Sequence, residues 1–555
     1  MNLHPEPVPT VPEETARVAH AAFPKGNPYL RLRDSFPTLF DDEAFRSLFP
    51  AEGQPAASPA MLALVTLLQF AEGLADRQAA EAVRSRIDWK YLLGLPLTHA
   101  GFDHSVLAEF RARLLDHDAE QLLFERLLTH CGEQGMLKGR GKQRTDATHV
   151  LAALRTLNRL ELVGETMRRA LEALATTAPD WLAAQCPPAW VVRYGRRFEQ
   201  YRLPRRETER DALALTIGED GFCLLSALWS EIAAGERRPG LGELPAVQTL
   251  RQVWIQQYTR EGERVRLRTG EELPPAPTSI NSPQDDQARY SATRATEWVG
   301  YKVHFTECCD PETPLLITDV QTTPAPTPDS EVLPEVDEAL ARRGVLPSTH
   351  LVDAGYTEAE LLVKTAPRYG VRLVGPVQGD PSWQARNATG FAAREFAVDW
   401  EGKRVHCPAG QQSVGWKETT KHGHPVIQVH FSALNCRRCG HQPQCTRARQ
   451  AGRKLTLLPQ ERYEAVQAVR EQQTTVAFAQ EYGARAGVEG THSQAVRRCD
   501  LRHARYVGQR KVHLEHLLTA TALNLLRITD WLAGTQRRTT RRSPLAALLP
   551  ATPAC

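Results

Sequence analysis

The chain divides by the period of its apolar positions. Between residues 40 and 138 they recur at three- and four-residue intervals, in MLALVTLLQFAEGL from Met61, DRQAAEAVRSRI from Asp76 and HSVLAEFRARLL from His104. Such spacing lines one face of a helix, and Ser58 before Pro59 marks a helix start. A helical N-terminal domain is therefore predicted over 29–138, after a loose Pro- and Glu-rich arm at 1–28. At Lys142 the period becomes two. Thr145, Ala147 and His149 alternate with Asp146, Thr148 and Val150, which predicts a short strand. Helical spacing returns over 152–285, most clearly in LRTLNRLELVGETMRRALEALA. Two strands follow, VGYKVHFTEC and PLLITDVQTT, separated by the turn-like CDPET. The Pro-rich TTPAPTPDSE leads into a helix, EVLPEVDEALARRG, that ends at Gly344. STHLVDAGY reads as a buried strand running into a turn. Thr357 and Glu360 are spaced as a capping box for TEAELLVKTAPRYG, and VRLVGPV is a further buried strand. Around the helical insertion the order is strand, strand, strand, helix, strand, helix, strand. That order fits an α/β fold with a mixed sheet covered by helices.

Composition narrows the class. A chain of 555 residues is expected to form two to four folding units, and 42% apolar with 24% charged residues argues against wholesale disorder. The first twenty residues carry Glu6, Glu13 and Glu14 and no apolar run, unlike a secretory signal. The greasiest stretch, from Met61, is interrupted by Gln69 and Glu72 and is too short to span a bilayer. A soluble, cytoplasmic protein without membrane contact is expected. Net charge is only +3, but its distribution is uneven. Residues 497–542 hold eleven Lys/Arg against Asp500, Glu515 and Asp530, and residues 431–455 hold six Lys/Arg and no acid. Such fields attract a polyanion, although a solvated basic face reads the same way.

Two acids are oddly placed. Asp146 lies inside an otherwise apolar strand, and Asp353 ends the apolar LVD directly before Ala354-Gly355. A carboxylate there is costly unless paired or metal-bound. A third signal lies in EYGARAGVEGTHSQAVRR, where Tyr482, Arg485 and Glu489 fall at i, i+3 and i+7, on one face if the segment is helical. The plain reading is a surface Arg485–Glu489 pair worth about 0.3–0.5 kcal/mol. Gly487 and Gly490 bracket the glutamate, however. Each weakens a helix by about 1 kcal/mol relative to Ala and would let a bulky ligand such as DNA backbone come close.

The segments TDATHV around Asp146, WVGYKVHF, HLVDAGYTEAELL around Asp353 and YGARAGVEGTHSQ around Glu489 together resemble a bacterial insertion-sequence transposase of the Asp-Asp-Glu class. More narrowly, they are similar to the group with a Tyr-x2-Arg-x3-Glu-x6-Lys signature. The leader segments GLADRQAAEAVRSRIDWKYLLGL and FDHSVLAEFRARLL add to the likeness, which covers roughly residues 30–535. One position departs: the signature's Lys falls on Val496, followed by Arg497 and Arg498. The resemblance implies an RNase H-like core built from 139–151 and 286–380. Asp146 would lie on its first strand, Asp353 after its fourth, and Glu489 on a late helix within 457–535. It also implies metal-dependent cleavage at the element's ends, strand transfer into target DNA, and a homodimer or larger assembly on double-stranded DNA. Three carboxylates suit two Mg²⁺ (or Mn²⁺) ions, because hard cations take oxygen ligands and paired cations promote in-line phosphodiester displacement. Tyr482, Arg485, Arg497 and Arg498 would hold phosphates. Lys302 is a weaker candidate, for which an exposed strand lysine is the plainer reading.

Eleven cysteines without a secretory context do not suggest a disulfide framework. Cys407, Cys436, Cys439 and Cys445 are grouped as C-x28-C-x2-C-x5-C, and the C-x2-C step suits two thiolates on one tetrahedral Zn²⁺. A zinc-ribbon-like insertion over 381–456 is expected, with His406 or His441 as alternative ligands and four unlinked thiols as the plain alternative. DRQAAEAVRSRIDWKYLLG could form a helix-turn-helix or a dimerisation bundle. The basic C-terminal helices and the tail at 536–555 are expected to track phosphates. Other functional readings are an RNase H-like nuclease that does not join ends, a non-catalytic DNA-binding derivative of a transposase, and a helical scaffold. The last leaves the Asp and Cys placements unexplained.

Overall fold

The computed structural model describes residues 2–155, 157–233, 240–262, 264–293, 296–386, 390–421 and 423–535. The expected tail at 536–555 lies outside them.

The strand predicted around Asp146 is β1 (Lys142–Leu151). A short hairpin, β2 (Tyr258–Glu261) and β3 (Arg264–Leu267), belongs to the insertion. β4 (Arg289–Ala292), β5 (Glu297–Cys308), β6 (Ile317–Pro324), β7 (Thr349–Leu351) and β8 (Arg372–Val374) complete the main sheet. Its order is β4-β5-β1-β7-β8, with β6 also paired to β5. β5 is long enough to serve both neighbours on one side, pairing β4 over 297–300 and β6 over 301–307. β1 runs antiparallel to β5 and parallel to β7, so the sheet is mixed, as the element order predicted. Along β5, Tyr301, Val303 and Phe305 are fully buried. They join a core with Leu517, Ala520 and Leu523 of the helix Gln509–Leu532.

That helix corrects one expectation. It does not offer a basic face to a phosphate backbone: Val512 to Thr529 is buried almost throughout, against β6 and the N-terminal helix Pro59–Glu72. Its Arg527 is turned inward onto Glu307, and Arg510 pairs with Asp118 and Glu120. Apolar residues on all sides of a helix mark an interior element, and here they outweigh the basic count.

The N-terminal region is helical as predicted, but the described part of the expected arm at 1–28, residues 2–28, is not loose. The helix Glu13–Ala22 packs on Ile87–Leu93, with Thr15 and Ala19 fully buried. The helix Pro59–Glu72 does begin at Ser58, whose hydroxyl accepts from Met61 N–H at 3.2 Å. The insertion at 152–285 has its own core around Trp181, Trp190 and Trp254. Among the described residues, one helix there contains a 23-residue stretch, Glu207–Trp229, long and apolar enough to cross a membrane. The capping box does not form. Thr357 donates its hydroxyl to the Pro376 carbonyl, and the following helix, Ala359–Tyr369, starts after Glu358 without a side-chain cap.

Between the main sheet and the late helices lies a small β unit. β9 (Ala397–Asp399) and β10 (Arg404–His406) form a hairpin. β11 (Gly415–Lys421), β12 (His424–His430) and β13 (Lys454–Leu457) form an antiparallel sheet. Phe396, Val405, Ile427, Val429, Phe431, Leu455 and Leu457 fill its core.

Candidate active site

β1 and β7 pair only at Lys142–Arg144 with Thr349–Leu351. Beyond that point the strands part. Asp146 lies two residues past the last β1 residue paired to β7, where β1 pairs only with β5, and Asp353 stands two residues past the end of β7. The end of a parallel strand beside a diverging neighbour is where an α/β sheet leaves a crevice. Glu489 reaches the same place from elsewhere. The signature segment is not one regular helix: Val476–Tyr482 ends at Tyr482, a 3-10 turn covers Gly483–Ala486, and a new helix runs Gly487–Cys499. A 3-10 stretch within a helical path often marks a functional hinge, and this one carries Arg485.

The guanidinium of Arg485 lies among all three acids. Nη2 is 2.8 Å from Asp146 Oδ2 and 3.9 Å from Asp353 Oδ2, and Nη1 is 3.5 Å from Glu489 Oε1. Carboxylates distant along the chain thus converge on one cation. Asp146 is 13% exposed and Glu489 67%, so the acids span the wall and the rim of the crevice. Burial pushes the Asp146 carboxyl up to about 6; Asp353 adds to the shift and Arg485 opposes it. Asp353 is fixed by its own turn, accepting from Gly355 N–H at 2.8 Å. Arg485 is largely buried, yet its Nε has no hydrogen-bond partner. Tyr482 is half-buried and stacks on Phe478 with ring centroids 5.4 Å apart; burial and the nearby Asp353, Asp146 and Glu489 raise its pKa while Arg485 opposes them.

Other expected residues stand differently. Lys302 is not free for phosphate. Its Nζ is 2.7 Å from Asp329 Oδ1 and donates to the Thr327 carbonyl at 2.7 Å. Arg497 and Arg498 are exposed at the end of the Glu489 helix, while Val496, at the signature's Lys position, is partly buried against the core. Gly487 does not make room for a ligand: a Cβ there would lie 2.1 Å from Nη1 of Arg144. Gly490 has nothing within 4 Å and is open.

Sequence reasoning missed several groups around the crevice. Tyr356 is fully buried beneath the acids, with its hydroxyl 2.6 Å from His304 Nδ1. Asp329 faces Asp353 across Gly355, where a Cβ would meet Asp329 Oδ2 at 2.9 Å and Asp353 Oδ1 at 3.0 Å. Arg144 and Glu307, charged residues inside apolar strands, form a buried pair. Charge within a strand is the signal that marks both residues in the sequence.

The four grouped cysteines line one small cavity of about 30 Å³, together with Phe391, Phe431, His441 and Arg453. Cys407 Sγ accepts from Gln411 N–H at 3.3 Å, and Cys436 Sγ from Arg453 N–H at 3.5 Å. His406 is exposed and outside the lining, and His441 packs edge-on to Phe391. Among the described residues, no three His, Cys, Asp or Glu side chains are drawn into a preformed metal cage, at either the acids or the cysteines.

Two family models match parts of the chain. Residues 406–529 match the model described as a transposase DDE domain, and residues 17–113 match a transposase domain (DUF772). Both matches support an insertion-sequence transposase of the DDE family. No curated protein and no solved structure matches it. The DDE match covers the four grouped cysteines and Glu489 but stops short of Asp146 and Asp353. It is the sheet that joins those two acids to the matched region.

Proposed function

We propose that this transposase cuts DNA at the ends of its insertion sequence and joins the freed ends to target DNA, with Asp146, Asp353 and Glu489 as the metal-binding acids. The observation that carries this reading is their convergence on Arg485. Tyr482, Arg485 and Glu489, brought side by side, support assignment to the Tyr-x2-Arg-x3-Glu group. The order β6-β5-β1-β7-β8, with β1 antiparallel to β5 and parallel to β7, supports an RNase H-like core.

The donor set fits Mg²⁺ or Mn²⁺. It offers only carboxylate oxygens, one of them buried enough to need a counter-cation, and a guanidinium now fills that need. Bound divalent cations would activate water and stabilise the leaving oxygen. The protein's own residues bind and orient. Asp146 is fixed by its strand and Asp353 by its turn, and Lys302 neutralises Asp329 beside them. Arg485 must withdraw for two cations to enter. Its planar fork suits two phosphate oxygens, and the unpartnered Nε leaves it a bond to gain by moving.

The cysteine cavity fits a structural Zn²⁺ held by Cys407, Cys436, Cys439 and Cys445. Backbone N–H groups already point at two of the sulfurs, the kind of outer contact that tunes thiolate ligands. In the leader, the helices Pro59–Glu72 and Asp76–Ser85 meet at 110° across a Gly73 turn. That angle is typical of a helix-turn-helix. Arg77, Gln78, Glu81, Arg84 and Ser85 form an exposed face of the second helix, suited to double-stranded DNA. A homodimer or larger assembly in the cytoplasm completes the reading.

Cleavage and strand-transfer assays on purified protein with the element's own ends and Mg²⁺ test it. Cleavage and joining by wild type, both lost in Asp146→Ala and Glu489→Gln, are expected. Retained cleavage in either variant overturns the site, and cleavage without joining of precut ends reduces the protein to a nuclease.

A further inference from the structure

Glu307 on β5 is fully buried, where an unpaired carboxylate would be prohibitive. It is paired twice. Oε1 accepts from Arg144 Nε at 2.7 Å, and Oε2 accepts from Arg527 Nη1 at 2.8 Å and from the Thr491 hydroxyl at 2.5 Å. Arg527 closes the ring by donating to Thr491 Oγ1 at 2.6 Å, and it also reaches Gln494 Oε1 at 3.1 Å. Burial favours the charged form less, and the two arginines win: the Glu307 carboxyl is held below its usual range.

None of these groups lies among the acids, yet each is tied to a segment that carries one. Arg144 is two residues before Asp146 on β1. Its Nη1 also donates to the Ala484 carbonyl, one residue before Arg485. Thr491 and Gln494 follow Glu489 on the same helix. Gly487, at the start of that helix, passes so close over Arg144 that a side chain would collide with the guanidinium. The Glu489 carboxylate itself is 67% exposed, and among the described residues its polar contact is with Arg485, at 3.5 Å. Its place relative to Asp146 is therefore set by where its helix is held.

We propose that the buried Arg144–Glu307–Arg527–Thr491 ring is a positioning device that holds the Glu489 helix in register with β1 and so sets the span of the metal site. The inference rests on the acids being that site. Buried ion pairs contribute little net stability, because desolvation offsets their attraction. Their directional bonds do fix relative position, which a ligand set must hold to within about 0.5 Å.

Thr491→Val isolates this role. It keeps the shape, leaves both arginines on Glu307 and removes the hydroxyl that ties the helix to them. The probe is Mn²⁺ alone, titrated into the full-length protein at pH 7.5 and followed by electron paramagnetic resonance, beside thermal melting. Thr491→Val is expected to weaken Mn²⁺ binding about tenfold with a melting temperature near wild type, and Thr491→Ser to restore it. Wild-type Mn²⁺ affinity in folded Thr491→Val, or an equal loss in the Ser variant, overturns the proposal. If the Val variant does not fold, Gln494→Leu replaces it, with a smaller loss expected and an unchanged affinity counting as failure. Asp146→Ala keeps the two readings apart: unchanged Mn²⁺ binding there defeats the site itself, whereas a loss there with none in Thr491→Val defeats only the positioning role.

Discussion

The acid crevice and the cysteine cavity are both clusters of metal-type side chains, but they are built in opposite ways. The acids come from three distant segments and are occupied by a guanidinium from the protein itself. The cysteines come from one small β unit and surround a cavity about the size of one water, walled by Phe391 and Phe431. In the first, the chain supplies a removable cation at a partly open site, which suits ligands that come and go. In the second, four thiols face an apolar enclosure with backbone N–H groups already aimed at two of the sulfurs, which suits an ion that stays. Open sites serve chemistry and closed ones serve folding.

The largest effect should come from the open site. Asp146→Ala is expected to lower end cleavage by at least about a thousandfold, ~4 kcal/mol of barrier, with the melting temperature little changed. A comparable activity loss accompanied by unfolding would remove the contrast. At the closed site the order of effects should reverse. Cys439→Ser is expected to reduce bound zinc from about one per chain to almost none, by elemental analysis, and to open residues 390–457 to protease. A zinc-free wild type with a protected segment would break the comparison.

A third test sharpens the difference in occupancy. Arg485→Ala should tighten Mn²⁺ binding by the free protein about tenfold, ~1.4 kcal/mol, while weakening its hold on DNA ends. Loss of both would mean that Arg485 supports the acids and does not compete for them. The smallest effect concerns pH. Because burial keeps the Asp146 carboxyl protonated up to about 6, and a protonated carboxyl cannot ligate, Mn²⁺ affinity should fall as pH drops from 7 through 6. A flat profile between pH 7 and 5 would show that Asp146 does not ligate.

Much of the core was legible because burial leaves a period. The strands around Asp146 and Asp353 and the helical leader were read from spacing alone. Three of the four grouped cysteines, Cys436, Cys439 and Cys445, were legible because their spacing is local. Partner choice was not. Thr357 and Glu360 have capping-box spacing, yet the hydroxyl goes to Pro376, nineteen residues away in sequence. Lys302 looked like a surface lysine and is committed to Asp329. The arginines of the C-terminal helix read as a field along the sequence, whereas Arg527 and Arg510 are used up by Glu307, Asp118 and Glu120. The hairpin β2–β3, in the charged TREGERVRL, left no apolar period to read.

By itself the sequence determined the strands around Asp146 and Asp353, the helices of the leader, which acids sit in apolar settings and which thiols stand close together along the chain. Those properties depend on neighbours within a few residues, where side-chain period and backbone preference act. The tertiary structure decided that three acids share one arginine, that a glutamate and two arginines are buried together behind them, and that the most basic stretch holds the central helix. Each of these is a pairing between distant segments. A charged group takes whichever partner the fold brings within about 3–4 Å, and no local pattern records which that will be.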